Sequence, residues 1–383
     1  MLLLYGPAGA GKTAIARTVP EICADRRLLL ASFLFFRTNS RRNTIKSLVA
    51  NIAYRITVTV PRSKSLIGAI IEADPLLFDY SLEVQLTRLV FEPLQRLFDS
   101  GAGIHEPFPF LVVIDGLDEC LDESAQSQLI ELFSSLPRQY TVPLKILVAS
   151  RPEQQIRFAF DFIEPSLIVS FLELNNDFHP NDDIHLFLAD KFRIMRTSHP
   201  FRKYIPPSWP SEDQLNELVR KASGQFIYAG VVTRFVNSVR HFPTECLDVV
   251  LNLQPPSRDL PFAELDTLYK SILSRVADPP LVLRILGIII ALDSTLIPDQ
   301  RKMAIEQVLG LKASTVMVEL SDLHSLVDYE GGPVFYHSSF TDFLLSKPRS
   351  GDFHVDVYVM HVKILESALQ LPSGIPRIEF ICI

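Results

Sequence analysis

Eight residues near the amino terminus restrict the fold of this chain more than any other segment. They follow the apolar run Leu2 to Tyr5 and fit the pattern G-x-x-x-x-G-K-[ST]: Gly6, Pro7, Ala8, Gly9, Ala10, Gly11, Lys12 and Thr13. Glycines allow a tight loop whose backbone N–H groups face an anion, and a helix that begins at the loop points its positive dipole end at the same anion. The pattern predicts a strand, a phosphate-binding loop and a helix; a glycine-rich turn without a ligand is the alternative.

Two side chains of this loop have predicted roles at a nucleoside triphosphate. The amino group of Lys12 would reach the β- and γ-phosphates, and the hydroxyl of Thr13 would bind Mg²⁺. The loop contacts phosphates rather than the base, so ATP/ADP and GTP/GDP are both compatible with it.

A second motif supplies acidic residues at the end of a predicted strand. The apolar run Phe110 to Ile114 ends in Asp115-Gly116-Leu117-Asp118-Glu119, and open α/β sheets bind ligands at the carboxyl ends of their strands. Asp115 is then a second Mg²⁺ ligand. Asp118 and Glu119 are able to orient or deprotonate a water aimed at the γ-phosphate. The alternative is that these acids only cap the helix predicted to begin near Asp122.

A third strand end carries an arginine. The apolar segment from Lys145 to Ala149 precedes Ser150-Arg151-Pro152, where Arg151 is positioned to sense the γ-phosphate unless it is an ordinary surface arginine before a proline turn. The basic run formed by Arg37, Arg41, Arg42 and Lys46 is predicted to be a solvated loop and helix start, with a phosphate-facing role for one of them as the alternative.

Hydrophobic periodicity divides the chain into four parts. Strands at 2–5, 28–36, 110–115, 145–149 and 167–172 alternate with helices at 12–24, 43–57, 64–100 and 123–136, which predicts a parallel sheet with helices on both faces in a P-loop NTPase domain over 1–172. A helical domain over 183–255 follows, with a capping box at Ser211 and Gln214. Helices and a hairpin around Gly331-Gly332 predict a winged-helix-like domain over 264–346, and a tail occupies 347–383.

Composition excludes several classes of protein. The 383 residues carry a net charge of -7, so no global basic field favours nucleic acid or an anionic membrane. The four cysteines form no C-x-x-C pair, which favours a reducing compartment. The N-terminal apolar stretch lacks a basic region and breaks at Gly6-Pro7, so it is not expected to be a signal peptide, and a cytoplasmic location is expected. The most apolar segment, 281–292, contains an arginine and is too short to span a bilayer.

Taken together, these motifs resemble the NACHT family of signalling NTPases within the STAND class, most of all its fungal branch with a nephrocystin-like N-terminal region. The resemblance covers most of the chain and rests on seven segments: LLLYGPAGAGKTAIA, ASFLFFRTNSRRNTIKSLVANIAYRI, VVIDGLDEC, KILVASRPE, ASGQFIYAGVVTRFV, LDTLYKSIL and FYHSSFTDFLL. The form Asp-Gly-Leu-Asp-Glu is the most specific of them.

The resemblance implies a nucleotide-driven switch with slow Mg²⁺-dependent hydrolysis, in non-self recognition or cell-death signalling. The helical and winged-helix parts would close over a bound diphosphate, and exchange for triphosphate would permit self-association. His337 occupies the position of a histidine that contacts the β-phosphate in such families; a histidine satisfied beside the hairpin is the alternative. Upstream elements, an effector domain and sensor repeats of the family are expected to be missing, as in a truncated gene model; a minimal NACHT core is the alternative.

Two other functions are compatible with the same loop. A P-loop motor or small-molecule kinase would need an arginine finger in a ring or an acceptor pocket with a lid. A scaffold or fragment that binds nucleotide without activity is the third possibility, and the intact Lys12, Thr13, Asp115 and Asp118 count against it.

Overall fold

A computed structural model describes residues 1–37, 39–101, 110–161, 169–255, 262–292, 296, 298–329 and 332–369. The chain divides into two compact units. The first consists of Met1–Pro7 and Gly11–Leu174, and the second of Ala8–Ala10 and Asn175–Ile383. Each is described by itself below.

The first unit alternates strands and helices along the chain. Its elements are β1 (Leu2–Tyr5), α1 (Lys12–Asp25), β2 (Leu29–Leu34), α2 (Ile45–Thr59), α3 (Ser63–Ala73), α4 (Leu82–Leu86), α5 (Glu92–Asp99), β3 (Leu111–Asp115), α6 (Glu123–Ser135), β4 (Lys145–Ser150), α7 (Gln154–Asp161) and β5 (Ser170–Glu173). A π-helical turn, Thr87–Phe91, joins α4 to α5, so the predicted helix over 64–100 consists of α3 and this second, interrupted helix.

The five strands form one parallel sheet in the order β2-β3-β4-β1-β5. Strand β4 pairs with β1 on one side and with β3 on the other: Leu147 lies opposite both Leu2 and Val113. The loop that follows β1 and the acidic residues that end β3 therefore lie at one edge of the sheet, with the end of β4 between them. This register positions the candidate site.

Both faces of the sheet are buried at its central strands, whereas the edge strand β5 is largely exposed. Leu3, Val112 and Ile114 belong to one apolar cluster, which includes residues of α2 and α6, whereas Leu4 and Val113 belong to a second cluster that includes Ala16 of α1. Successive residues of a strand point to opposite faces, so a strand covered on both sides must be apolar throughout. The α/β fold with helices on both faces, predicted from these continuous apolar runs, is confirmed.

Helices dominate the second unit. Its elements are α8 (Pro180–Ser198), α9 (Glu212–Ala222), α10 (Phe226–Val236), α11 (Pro243–Asn252), α12 (Ala263–Leu273), α13 (Pro279–Ala291), α14 (Pro298–Leu309), α15 (Thr315–Leu320), β6 (Val327–Asp328), β7 (Val334–Phe335), α16 (Ser338–Leu345), α17 (Lys347–Ser350) and α18 (Val357–Leu369). Strands β6 and β7 pair antiparallel on the two sides of the predicted hairpin turn at Gly331-Gly332, of which Gly331 lies outside the described residues. The predicted capping box is also present: Gln214 N donates to Ser211 Oγ at 3.2 Å, and Ser211 N donates to Gln214 Oε1 at 2.9 Å.

One apolar core runs through this unit from Ile184 of α8 to Ile364 of α18. Met360 and Ile364 lie in the segment predicted as a tail, so helix α18 packs into the core as far as it is described. The winged-helix character of this unit, and the boundaries at 172, 183, 255, 264 and 346, stay predictions. Within the described parts of the chain, no helix combines the length and the apolar character needed to cross a membrane.

Candidate functional site

The loop after β1 has the backbone geometry that its glycines predict. Gly9 adopts a φ of 80° and Gly11 a φ of 95°, both in the left-handed region that other residues rarely occupy. Gly11 is the N-cap of α1, so that helix begins at Lys12 and directs its first, unpaired N–H groups toward the loop. This is the arrangement in which helix N-termini bind phosphate.

The amino group of Lys12 lies back on its own loop. Lys12 Nζ donates to Gly6 O at 2.7 Å and to Pro7 O at 2.9 Å. The pKa of Lys12 is lowered to about 8, mainly by burial and also by the charge of Arg151, while nearby acids, Asp118 first among them, oppose the shift. A partly buried ammonium held by two neutral carbonyls gains from a negatively charged ligand.

Asp115 ends β3 beside Thr13. It is only 5% exposed, and Thr13 Oγ1 donates to Asp115 Oδ1 at 3.4 Å. The other carboxylate oxygen, Oδ2, is buried and has no hydrogen-bond partner among the described residues. Burial raises the pKa of Asp115, and the hydrogen bond from Thr13 opposes this.

These two residues fit a Mg²⁺ site that is completed by a nucleotide. A carboxylate with an unpartnered buried oxygen next to a hydroxyl offers two oxygen ligands, and Mg²⁺ is commonly held by one or two protein ligands, substrate phosphates and water. Within the described ranges, no group of three or more His, Cys, Asp or Glu residues could hold a metal.

The backbone after Asp115 turns sharply at Gly116, which has a φ of 73°. A Cβ at this position would lie 3.3 Å from Phe35 O, so the turn has little room for a side chain. Residues Leu117–Glu119 then form a 3-10 turn that carries the other two acids.

The carboxylate of Asp118 is fully engaged by the end of β4. Its Oδ1 accepts hydrogen bonds from Ser150 Oγ at 3.2 Å and from Arg151 N at 3.0 Å. Its Oδ2 lies 3.2 Å from Arg151 Nε and forms an ion pair with it; the Asp118 side chain is only 5% exposed. Asp118 therefore fixes the direction of the Arg151 guanidinium.

Glu119 differs from Asp118 in its surroundings. Among the described residues, its carboxylate accepts one hydrogen bond, from Arg37 N to Glu119 Oε2 at 3.3 Å. Burial, reinforced by the negative charge of Asp118, raises the pKa of Glu119 to about 7, while Arg37 and Arg151 oppose the rise. A carboxyl with this pKa can take up or release a proton near neutral pH.

Six predicted site residues of the first unit thus come together: Lys12, Thr13, Asp115, Asp118, Glu119 and Arg151. Gly6, Pro7 and Gly11 form the loop around Lys12, whereas its tip, Ala8–Ala10, is grouped with the second unit.

His337 lies in the second unit, where it is the N-cap of α16. Its Nδ1 accepts a hydrogen bond from Ser339 N at 3.0 Å and lies 2.8 Å from Ser339 Oγ. Because Nδ1 is an acceptor here, the proton of the neutral imidazole is on Nε2.

The sequence did not indicate that Ser150 contacts the acidic residues after β3. It showed Arg37 as part of a basic run, without indicating which group Arg37 contacts. Ser150 is fully buried and donates to Asp118. Arg37 donates from Nη2 to Asp118 O at 3.0 Å. The available signal for Arg37 was its position just after β2, because β2 pairs with β3 and their carboxyl ends are neighbours.

The fold and the site together define an α/β domain of the P-loop class. The loop after β1, the acid that ends β3 and the strand β4 between them are its defining features. The model of the family described as "Nephrocystin 3, N-terminal" matches residues 1–151, which include all three.

The comparisons with whole proteins give more distant similarities. A search of curated proteins finds no match to this chain. A crystal structure of Cdc6p from Pyrobaculum aerophilum is similar at 14% identity with a TM-score of 0.39, over 96% of this chain and 86% of that one. A structure of Drosophila ORC bound to DNA is similar at 13% identity with a TM-score of 0.29, over 97% of this chain and 77% of the other.

Proposed function

We propose that this chain binds a nucleoside triphosphate with Mg²⁺ and hydrolyses it slowly, as a signalling switch of the NACHT type. One observation carries the proposal: the buried, unpartnered Oδ2 of Asp115 lies beside the hydroxyl of Thr13, directly at the start of α1. Burial of this oxygen without a partner is costly for folding, and the oxygen suits a cation that accompanies phosphate.

The loop and the start of α1 bind the phosphates in this proposal. Lys12 exchanges its two loop carbonyls for phosphate oxygens, and the N–H groups around Gly11 donate to the same anion. Thr13 and Asp115 hold Mg²⁺, which when bound neutralises charge on the phosphates. The base is not read by any of these residues, so ATP and GTP are both candidates.

Glu119 is the general base for the attacking water. Its pKa of about 7 allows it to accept a proton at neutral pH, and its carboxylate is not held by an arginine side chain. Asp118 has a different role, because Arg151 and Ser150 occupy both of its oxygens. It holds Arg151 so that the guanidinium can bind the γ-phosphate.

The second unit supplies the switch. His337 carries its proton on Nε2, which is the donor needed to bind a β-phosphate oxygen in a closed diphosphate form. A ligand shifts such a switch only by its difference in affinity for the two forms. Exchange for triphosphate then releases this contact and permits self-association, in cytoplasmic non-self recognition or cell-death signalling.

Nucleotide content tests the binding site. The purified protein is denatured, and released nucleotide is identified by chromatography and mass. We expect near-stoichiometric ADP or GDP in the wild type and in Lys145→Ala, whose exposed lysine lies at the opposite end of β4, and none in Lys12→Ala. A wild-type protein that carries no nucleotide and binds neither ATP nor GTP with Mg²⁺ would refute the proposal.

Single-turnover hydrolysis tests the two acids. We expect Glu119→Gln to bind nucleotide normally and to hydrolyse it roughly 100-fold more slowly, since general bases contribute about 10²- to 10⁴-fold. Asp118→Asn should lower the rate and also weaken selectivity for triphosphate over diphosphate, because Arg151 loses its ion pair. Wild-type rates in Glu119→Gln would exclude this residue as the base.

A further inference from the structure

The loop that follows β2 runs along the acidic turn that follows β3. At one end, Phe35 N donates to Asp115 O at 2.9 Å, and at the other end Leu121 N donates to Asn43 O at 3.0 Å. Asn43 is only 3% exposed. The two segments are therefore hydrogen-bonded to each other before Asp118 and after Glu119 in the acidic turn.

Arg37 lies between these two hydrogen bonds and contacts both acids. Its backbone N–H donates to Glu119 Oε2 at 3.3 Å, and its guanidinium Nη2 donates to Asp118 O at 3.0 Å. Its own carbonyl accepts from Asn43 Nδ2 at 3.2 Å. One residue thus fixes the carboxylate of Glu119 and the main chain that carries it.

The position of Arg37 also has an electrostatic consequence. The charged groups around Glu119 are Asp118 on its own turn, Arg151 from the end of β4, Lys12 from α1 and Arg37 from the loop after β2. Among them, Arg37 is the cation whose side chain binds the acidic turn itself without being paired to a carboxylate. Removal of its charge favours the protonated form of Glu119.

We propose that Arg37 is a positioning residue, which holds Glu119 in the direction and charge state needed to activate water. The inference rests on the proposed role of Glu119 as the base. Arg37 acts through Glu119 and the turn, and it has no contact with the reacting atoms. It couples the loop after β2 to hydrolysis, because a displacement of this loop displaces the carboxylate.

The test compares Arg37→Ala, Arg37→Lys and the matched control Arg41→Ala. Arg41 is an exposed arginine of the same loop for which the structure gives no side-chain contact to the acidic turn. Single-turnover hydrolysis is measured from pH 5.5 to 9, together with the affinity for the diphosphate.

We expect Arg37→Ala to hydrolyse roughly 10-fold more slowly at neutral pH with unchanged diphosphate affinity. The acidic limb of its pH profile should move upward by roughly 0.5 to 1 pH unit, because a nearby positive charge is lost. Arg37→Lys should restore the limb, since it restores the charge, while recovering only part of the rate. Arg41→Ala should match the wild type.

A second readout needs no nucleotide. Hydrogen exchange of β3 reports the ionisation of Glu119 through the stability of the first unit, and the midpoint of this pH dependence should rise in Arg37→Ala. If Arg37→Ala matches Arg41→Ala in this midpoint and in the pH profile, the inference is overturned. Failure of Glu119→Gln to slow hydrolysis would instead refute the proposed base, while the exchange midpoint would still report whether Arg37 sets the ionisation of Glu119.

Discussion

Replacement of Glu119 by glutamine should stabilise the first unit at high pH and leave it unchanged at low pH. Burial raises the pKa of Glu119 from its ordinary 4.5 to about 7. A carboxyl whose pKa is raised on folding contributes stability that is fully present below its unfolded pKa and is lost as the pH rises through its folded pKa. Glutamine resembles the protonated carboxyl and cannot ionise, so it removes this loss.

The magnitude follows from the two pKa values. About 7 against 4.5 is a difference of about 2.5 pH units, and each unit corresponds to about 1.4 kcal/mol. The upper limit is therefore about 3.5 kcal/mol, and we expect about 2 kcal/mol because the side chain is only partly removed from water. At pH 8 the variant should exceed the wild type in unfolding free energy by this amount.

Hydrogen exchange of peptides from β3, followed by mass spectrometry, measures the difference. Wild type and variant are compared at the same pH, so intrinsic exchange rates cancel. We expect β3 of the variant to exchange roughly 30-fold more slowly than the wild type at pH 8, but at most about 4-fold more slowly at pH 5, because pH 5 is only about half a unit above the unfolded pKa. For the control Glu123→Gln, on the exposed first turn of α6, the ratio of wild-type to variant exchange rates should be the same at both pH values. A ratio for Glu119→Gln that stays constant between pH 5 and pH 8 would refute the reasoning.

Three further substitutions test interactions within the individual units. Lys221→Met should lower the unfolding free energy by about 3 kcal/mol, because the buried Nζ of Lys221 donates to the carbonyls of Val250, Leu251 and Leu253 at the end of α11. Urea unfolding followed by the fluorescence of Trp209 measures this, and an unchanged midpoint would contradict it. Gly116→Ala should cost about 1–2 kcal/mol in β3 exchange, because of its positive φ and the nearby Phe35 O. Asp122→Ala should cost about 1 kcal/mol by the same assay, since two N–H groups of α6 lose their cap.

The elements of the first unit could be predicted from the sequence because its central strands are buried on both faces and therefore consist of continuous apolar runs. Strand β3 was expected at 110–115 and lies at Leu111–Asp115, and α6 was expected at 123–136 and lies at Glu123–Ser135. The break within 64–100, between the end of α3 at Ala73 and the start of α4 at Leu82, was not predicted, although Pro75 and the N-cap Ser81 are signals of a helix end and a helix start.

The sequence could indicate which residues belong to the candidate site, but not which of these side chains contact one another. The motifs predict that Asp118 and Arg151 both belong to the phosphate site, yet nothing in their spacing indicates that they bind each other. That contact depends on the register of β3 against β4. In the same way, the sequence shows Lys221 only as one residue of a helical pattern; its three hydrogen bonds to carbonyls depend on how α11 packs beside it.

The strand order has a consequence for how the chain acquires this site during synthesis. Strand β1 pairs with β4 and β5, whose paired residues begin at Leu147 and Ser170, so it has no neighbouring strand until about 145 further residues have been made. At about 5–20 residues per second, this takes roughly 7 to 30 seconds. The glycine loop emerges early but acquires its supporting sheet late, and a ribosome-bound chain that stops before β4 should be unable to retain nucleotide.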